Sequence, residues 1–455
     1  MTTIYVSSSS SPLSLWLLRK SYIFGYRDLY RQYFRLSSSD AFNRFNDTRC
    51  LRQGLRILKT SRNEVGSKIL TMQALLNNEV LKASINTHFG EIEDPRAERT
   101  RAHYLVDIIV ITLFAVISGA DSWVGIETYG NSKQEWLKQF LALPNRIPSH
   151  DTFARVFARL DPERLEVEFR NWVQTIAGEL SAQVIAIDGK TSRGSYDREK
   201  GIKDLQLVSA WATSSRLVLG QEAVDKKSNE ITAIPKLLEQ LELEGCIITI
   251  DAMGTQKKIA QQICQSGADY ILALKGNQGK LSKYVREWFT QQQESSAQWL
   301  ESGWHQTEKG HHRLETRTTW QIPVFQVLPL ELRQPWQKLR TIVIVEETRQ
   351  LWNKTTHEFR FFISSLEATN QHFADYIRSH WGIENQLHWC LDVVFGEDDS
   401  RIRQGHSARN MSLMRRFTLN LLRQETSKAS LTMKRYKAAM DNDFLLKILD
   451  DSGFI

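Results

Sequence analysis

Apolar positions from His88 to about Ala177 recur with a period near 3.6, and farther along the chain with a period of two or in short unbroken runs. From His88 to about Ala177 the spacing predicts helices: one from Tyr104 to Ser118, a second from Trp123 through Phe140, and a third opening at Ser149. The third segment, PSHDTFARVFARLD, sets Phe153, Val156, Phe157 and Leu160 at i, i+3, i+4 and i+7 behind a capping Ser149. Thr152, Arg155 and Arg159 fall on its opposite face.

After Gln183 the pattern changes to alternating strands and helices. VIAID (Val184 to Asp188) reads as a short buried strand, and LQLVSAWATS and LVLGQEAVD follow with little between them, as in an antiparallel meander. A helix then carries Ile231, Ile234, Leu237, Leu238 and Leu241 on one face, with a Pro235 tolerable only near its first turn. CIITID (Cys246 to Asp251) is another strand, TQKKIAQQICQSG a helix ended by Gly267, and ADYILALKG a further strand. Three strands, then helix-strand-helix-strand, is the order of an RNase H-like mixed sheet. Between about Gln291 and Leu366 the chain is strand-rich again, with TIVIVEETRQ and HEFRFFISSL as a hairpin pair, and from Thr369 it is helical. The expected fold class is α/β: an RNase H-like mixed sheet with a helical N-terminal domain and a β-rich insertion before the last helix of the site. The parts are an extension over 1–71, helices over 72–180, the first part of the core over 181–290, the insertion over 291–366 and a helical remainder over 367–455.

Length and composition, at 455 residues with 13 Trp and 20 Phe, allow two or three structural units. The net charge of +7 is unevenly spread, for residues 1–71 hold 12 Lys and Arg against 4 Asp and Glu, and the remainder is close to neutral. Contacts of the main body with a polyanion must therefore come from local patches. The first 71 residues also carry serine runs (Ser7 to Ser11, Ser37 to Ser39) without a sustained period, which reads as a disordered extension. It is either a basic arm that embraces DNA or sequence upstream of a true start at Met72, and the second reading is preferred. Cys50, Cys246, Cys264 and Cys390 lie far apart with no Cys-x-x-Cys pair, which argues against a disulfide framework and a cysteine-rich zinc site and suits a reduced cytosol. The longest apolar stretch, Ile108 to Ala120, is shorter than the roughly 20 residues of a bilayer span and reads as a buried helix. The Leu13 to Leu18 patch lacks a preceding basic residue and a clean cleavage site, and is not read as a signal peptide.

Two aspartates, Asp188 in AIDGK and Asp251 in TIDAMG, are expected at the C-terminal ends of buried strands, where open α/β sheets place reactive groups. A carboxylate there is costly unless hydrogen bonds or a cation compensate it, and hard oxygen ligands suit magnesium or manganese. Taken singly, Asp251 could cap the helix that starts near Thr255, and Asp188 could merely pin the turn at Gly189. Glu384 lies in SHWGIENQLHW, where regular helical spacing puts His380, Glu384 and His388 on one face. Three carboxylates could hold two ions and promote an in-line phosphoryl displacement, the chemistry of nucleic-acid strand cleavage and joining. Lys190, Arg193 and Lys275 could neutralise phosphates, and Arg155 and Arg159 could belong to a recognition helix, although each is also explained as a solvated surface cation.

These residues carry a family resemblance. AIDGKTSRGS, KKSNEITAIPKLLEQLELEGCIITIDAMGTQKKIA, GADYILALKGNQG and HWGIENQLHWCLDVVFGEDDSRIR resemble, in order, the ISAs-type or H-repeat-associated insertion-sequence transposases. HFGEIEDPRAERTRAHYLVDIIVITLFAVISGADSW resembles the helical region ahead of the catalytic domain in that family, and the likeness runs from about Leu75 to the C-terminus. The resemblance implies a DNA transposase that cleaves insertion-sequence ends and transfers strands into target DNA. Asp188, Asp251 and Glu384 would be its catalytic, metal-holding triad, using two Mg2+ or Mn2+ ions. It further implies terminal repeats and target DNA as partners, a homodimer in the active complex, no membrane, and a bacterial cytoplasm close to the nucleoid. Related transposases place Tyr, Arg and Lys at set spacings around the glutamate. Here the position four before it is His380 and the one seven after it is Leu391, so Arg378 and His380 are the candidates left for gripping DNA. EKGHHRLETR (Glu308 to Arg317) resembles a family stretch that could touch DNA, or is a solvated hairpin.

Two other readings stay open on sequence. His380, Glu384 and His388 could ligate zinc in a hydrolase, although the His-Glu-x-x-His order is missing. A transposase-derived platform could also bind DNA without cutting it.

Overall fold

The computed structural model describes residues 78–455 apart from 179, 198, 200, 202, 226–228, 296–297, 311–312 and 370. The extension expected over 1–71 lies outside the described residues.

A single nine-stranded sheet organises the described chain: β1 (Val184–Ser192), β2 (Leu205–Ala212), β3 (Leu217–Ala223), β4 (Ile247–Ile250), β5 (Asp269–Leu274), β6 (Trp304–Gly310), β7 (Arg313–Pro323), β8 (Thr341–Leu351) and β9 (Thr355–Ser364). The spatial order is β3-β2-β1-β4-β5-β9-β8-β7-β6. The first three strands form an antiparallel meander, while β1, β4 and β5 run parallel. That is the RNase H-like arrangement expected from the strand order. Ile185, Ala186, Ile187, Ile248 and Ile250 are buried, as parallel strands covered on both faces require.

The strand-rich region is not a separate sheet. β9 pairs antiparallel with β5, so β6 to β9 prolong the core sheet. An open β5 edge would expose unpaired backbone groups, and β9 satisfies them. The boundary expected at 290/291 also falls inside a helix, Gly279–Glu294.

Three local expectations change. β1 does not stop at Asp188 but runs to Ser192, because β2 keeps pairing with it from Asp188↔Ser209 to Ser192↔Leu205. The helix expected from Trp123 through Phe140 divides into Trp123–Ser132 and Gln134–Leu137, separated at Lys133. Pro235 sits in the second turn of the helix Glu230–Glu239, where its missing N–H forgoes one helical bond.

The flanking helices close the core. Leu105–Ile117 is buried along almost its whole length, in keeping with its unbroken apolar composition. Ser149 caps His150–Arg159 by accepting from the Thr152 amide, and the predicted stripe Phe153, Val156, Phe157 and Leu160 is buried. The long helix Ser407–Gln424 packs on these segments: Trp172 and Phe417 stack at 4.4 Å, and Asn410 donates to the carbonyls of Phe157 (2.9 Å) and Leu160 (2.8 Å). One apolar core thus runs from the N-terminal helices through the sheet to the C-terminal helices.

Candidate active site

The parallel pairing of β1 with β4 ends at the rung Ile187↔Ile250. Asp188 and Asp251 each follow a member of that rung, so the two aspartates start from neighbouring backbones, which lie about 4.8 Å apart in a sheet. Asp188 belongs to β1 itself, whereas Asp251 begins the loop after β4. Asp251 Oδ1 accepts from the amides of Met253 (3.0 Å) and Gly254 (3.4 Å), which folds that loop back on itself. A Cβ on Gly254 would lie 2.3 Å from Ile250 Cγ2, so this tight return needs glycine. Thr255 Oγ1 donates to Ala273 O (2.6 Å) and ties the loop to β5. Asp251 therefore shapes its turn but does not cap the next helix, Lys257–Gln265, whose N-cap is Gln256.

Asp188 is 17% exposed. Burial pushes its pKa up to about 7, and the negative charges of Asp251, Glu230 and Glu384 push the same way against the Gly189 amide. The three expected carboxylates are thus electrostatically coupled at Asp188, together with a fourth that the sequence did not single out. Among the described residues, no three His, Cys, Asp or Glu side chains already converge as a metal-holding group.

Glu384 stands on a π-helical turn, Ile383–His388, between the helices Phe373–His380 and Trp389–Val393. Such turns are rare and concentrate at functional sites. This widening alters the expected alignment of His380, Glu384 and His388. Glu384 is exposed and lines a cleft of about 670 Å³, while the two histidines are partly buried. His380 Nδ1 and Thr249 Oγ1 of β4 share a 2.9 Å hydrogen bond; burial lowers its pKa to about 4, although the Asp251 charge opposes this. His388 Nδ1 lies 3.6 Å from Asp188 Oδ2, too far for a hydrogen bond. Burial, then the cations Arg416 and Lys190, lower its pKa to about 3. Both imidazoles are neutral at neutral pH, one bonded to Thr249 of β4 and the other beside Asp188 of β1.

Lys190, expected to meet phosphates, is 7% exposed and inside an ion cluster. Its Nζ lies 2.7 Å from Asp392 Oδ1, 2.9 Å from Asp398 Oδ1 and 3.9 Å from Glu397 Oε2. Burial opposes ionisation of Glu397, but Arg416 (3.0 Å), Arg415 and Ser412 (2.6 Å) overcome it and hold its pKa low. The cluster fastens β1 to the helix behind Glu384 and to Ser407–Gln424. Gly194 lies so close to this segment that a Cβ would stand 2.4 Å from Ser400 O.

The other candidate cations differ from Lys190. Arg193 is 84% exposed beside Asp398, Lys275 is exposed just beyond β5, and Arg155 and Arg159 are exposed on their helix. Arg378 pairs with Glu308 across the cleft that Glu384 lines, a cleft also lined by Arg317, Arg360 and Trp381. Glu308 to Gly310 and Arg313 to Arg317 belong to the β6–β7 hairpin, as one reading of EKGHHRLETR had it.

Sequence comparison adds an independent line. The family description "Transposase DDE domain" matches residues 179–421, and "DDE_Tnp_1-associated" matches residues 86–173. The chain is 41% identical over 371 residues to "Putative protein YbfL" of Escherichia coli (strain K12), covering 80% of this chain and 97% of that one. It is 40% identical over 371 residues to "H repeat-associated putative transposase YhhI" of the same strain, with the same two coverages. "Putative transposase YncI" of Escherichia coli O157:H7 is 40% identical over 372 residues, covering 80% of this chain and 94% of that one.

Proposed function

Since the chain belongs to the DDE transposase family and is a DNA transposase, we propose that Asp188, Asp251 and Glu384 are the carboxylates that hold its divalent cations. The observation that carries this reading is the raised pKa of Asp188, a buried carboxyl pressed by the charges of its acidic neighbours. The donor set is one of hard carboxylate oxygens, the kind magnesium and manganese prefer. A cation between these groups would offset the burial and, after it, the like charges that raise the Asp188 pKa.

Bound divalent ions supply, in such a site, activation of a water or DNA 3′-hydroxyl and stabilisation of the leaving oxygen in an in-line displacement. The rest falls to the chain's own residues. β1 and the end of β4 set the two aspartates side by side, one step past the rung Ile187↔Ile250, and the Lys190 cluster fixes the Glu384 helix against them. His380 and His388, uncharged, fill the space between helix and strands and keep water from the buried side of the aspartates. Arg378, Arg360 and Arg317 line the cleft beside Glu384 and can meet the phosphates of a strand entering it; exposed Arg193 and Lys275 can do so at the strand ends. Arg155 and Arg159 are available for contacts with the element's terminal repeats. Lys190 and His380 act through position rather than by touching DNA. Two copies of the chain would hold two element ends together, in a bacterial cytoplasm where the DNA is accessible. No described helix is long and apolar enough to cross a membrane.

The test uses labelled linear DNA carrying the element's own terminal repeats. Asp251→Asn and Glu384→Gln should bind this DNA as the natural chain does while losing end cleavage and strand transfer by about 10³-fold or more. Cleavage retained by either variant contradicts the assignment, and would favour a DNA-binding platform that acts without cutting.

A further inference from the structure

The segment EKGHHRLETR turns its charges into the cleft beside Glu384 rather than out to solvent, for Glu308, Arg313, Glu315 and Arg317 all line it. The β6–β7 register sets Glu308 directly opposite Glu315, and like charges facing each other across a sheet repel. The two glutamates are compensated very differently. Glu315 is buried and has three arginines around it, Arg317 at 2.7 Å, Arg349 at 3.0 Å and Arg313 at 3.1 Å. Glu347 of β8, opposite Arg317 in the register, lies 3.0 Å from the same Arg317 Nη2 and 3.2 Å from Arg360. Glu308 is 42% exposed, and one of its oxygens does all the work: Oε2 lies 2.5 Å from Arg378 Nη2 and 3.4 Å from Arg317 Nη1. Arg317 therefore gives one nitrogen to the covered carboxylates and turns the other towards Glu308. Arg378 comes from the helix Phe373–His380, which leads into the turn that carries Glu384. A single anionic oxygen thus joins guanidiniums from the two walls of the cleft, as a non-bridging phosphate oxygen can. Gln306 donates to Asp375 at 3.2 Å and ties β6 to the same helix.

We propose, on the reading that a DNA strand enters the cleft beside Glu384, that Glu308 holds the place of one of its phosphates between Arg317 and Arg378. Strand entry exchanges carboxylate for phosphate, and Glu308 turns out to solvent. Repulsion from Glu315 keeps Glu308 exchangeable, while Glu315 and Glu347 keep Arg317 aimed at the position it leaves. The edge strand β6 so sets a threshold for entry. A polyanion passes it more readily than a single small anion, because neighbouring phosphates engage other arginines of the cleft at the same time.

Fluorescence anisotropy of the full chain with labelled linear duplex carrying the element's terminal repeats, without divalent ions so that no strand is cut, tests this. Glu308→Gln keeps the shape of the side chain and removes its charge. It should bind the DNA about twofold to fivefold more tightly than the natural chain, the range that releasing one half-exposed ion pair gives. Arg378→Gln, added to it, removes the cation so freed, and E308Q/R378Q should fall back to the natural affinity or below. Both side chains are nearly half exposed, so neither change reaches the core, and a melting temperature close to the natural one checks the fold of each variant. Natural affinity or less in E308Q, with E308Q/R378Q weaker still, overturns the place-holding role and leaves the cleft as the path of the strand. A gain in E308Q that persists undiminished in E308Q/R378Q is an effect of net charge alone, and overturns it as well. Natural affinity in both variants overturns strand entry through this cleft, and this inference with it.

Discussion

Asp188 holds its proton more tightly in the fold than in the unfolded chain, for its pKa of about 7 lies above the ordinary value of 3.8. Its contribution to stability is therefore fully present below about pH 4 and is lost as the pH rises through 7. Asp188→Asn removes the ionisation. In metal-free buffer at pH 8 the variant should resist denaturant by a few kcal/mol more than the natural chain, on the order expected for such a shift, and at pH 4 the two should match. Denaturant titrations at both pH values check this; the same difference at each would contradict it. Lys190 makes the opposite case. Lys190→Met strips Asp392, Asp398 and Glu397 of a buried partner, which should cost roughly 3–5 kcal/mol with little direct effect on DNA affinity. Unchanged stability with weakened DNA binding would restore the phosphate-contact reading. The two aspartates were legible in the sequence because each ends an unmistakable apolar run, VIAI or IITI. Lys190 was not, since its partners lie some 200 positions away in DVVFGEDD, and no local pattern links a lysine to acids so distant. Glu230 was hidden for another reason: a glutamate at a helix start satisfies the helix dipole and asks for no further explanation.

Elements were legible where burial is one-sided or complete. The amphipathic helix at His150–Arg159, the buried helix at Leu105–Ile117 and the core strand order follow from apolar spacing. The length of β1 did not, because Gly189, Lys190 and Thr191 look like a turn and become strand only through pairing with β2. Nor did the joining of β9 to β5, which depends on an edge needing a partner rather than on either sequence alone. The π turn at Ile383–His388 is the most consequential departure, since regular helical spacing predicts no widening around Glu384. Deleting Asn385 should restore regular helix and rotate Asp392 and His388 by about 100° relative to Glu384, away from Lys190 and Asp188. The expected result is a lower melting temperature together with loss of end cleavage. Natural values of both would mean that the π turn does not set the geometry of the site.

Among the described residues, one sheet and the apolar clusters packed against it collect residues from three distant segments. The site depends on that continuity. β1 and the loop after β4 supply two carboxylates, the chain then crosses to the far edge of the sheet at β6, and it comes back strand by strand through β7 and β8 to β9 beside β5 before it reaches Glu384. The Lys190 cluster and the long helix Ser407–Gln424 hold the returning segment in place. The central claim is that these three segments meet around bound divalent cations, and the most direct measurement replaces Mg2+ with Fe2+ and maps where the chain is cut by radicals generated with ascorbate and peroxide. Breaks beside Asp188, Asp251 and Glu384, all suppressed by excess Mg2+, are the predicted result. Breaks confined to other segments, or a cut at one of the three that Mg2+ does not suppress, would contradict it.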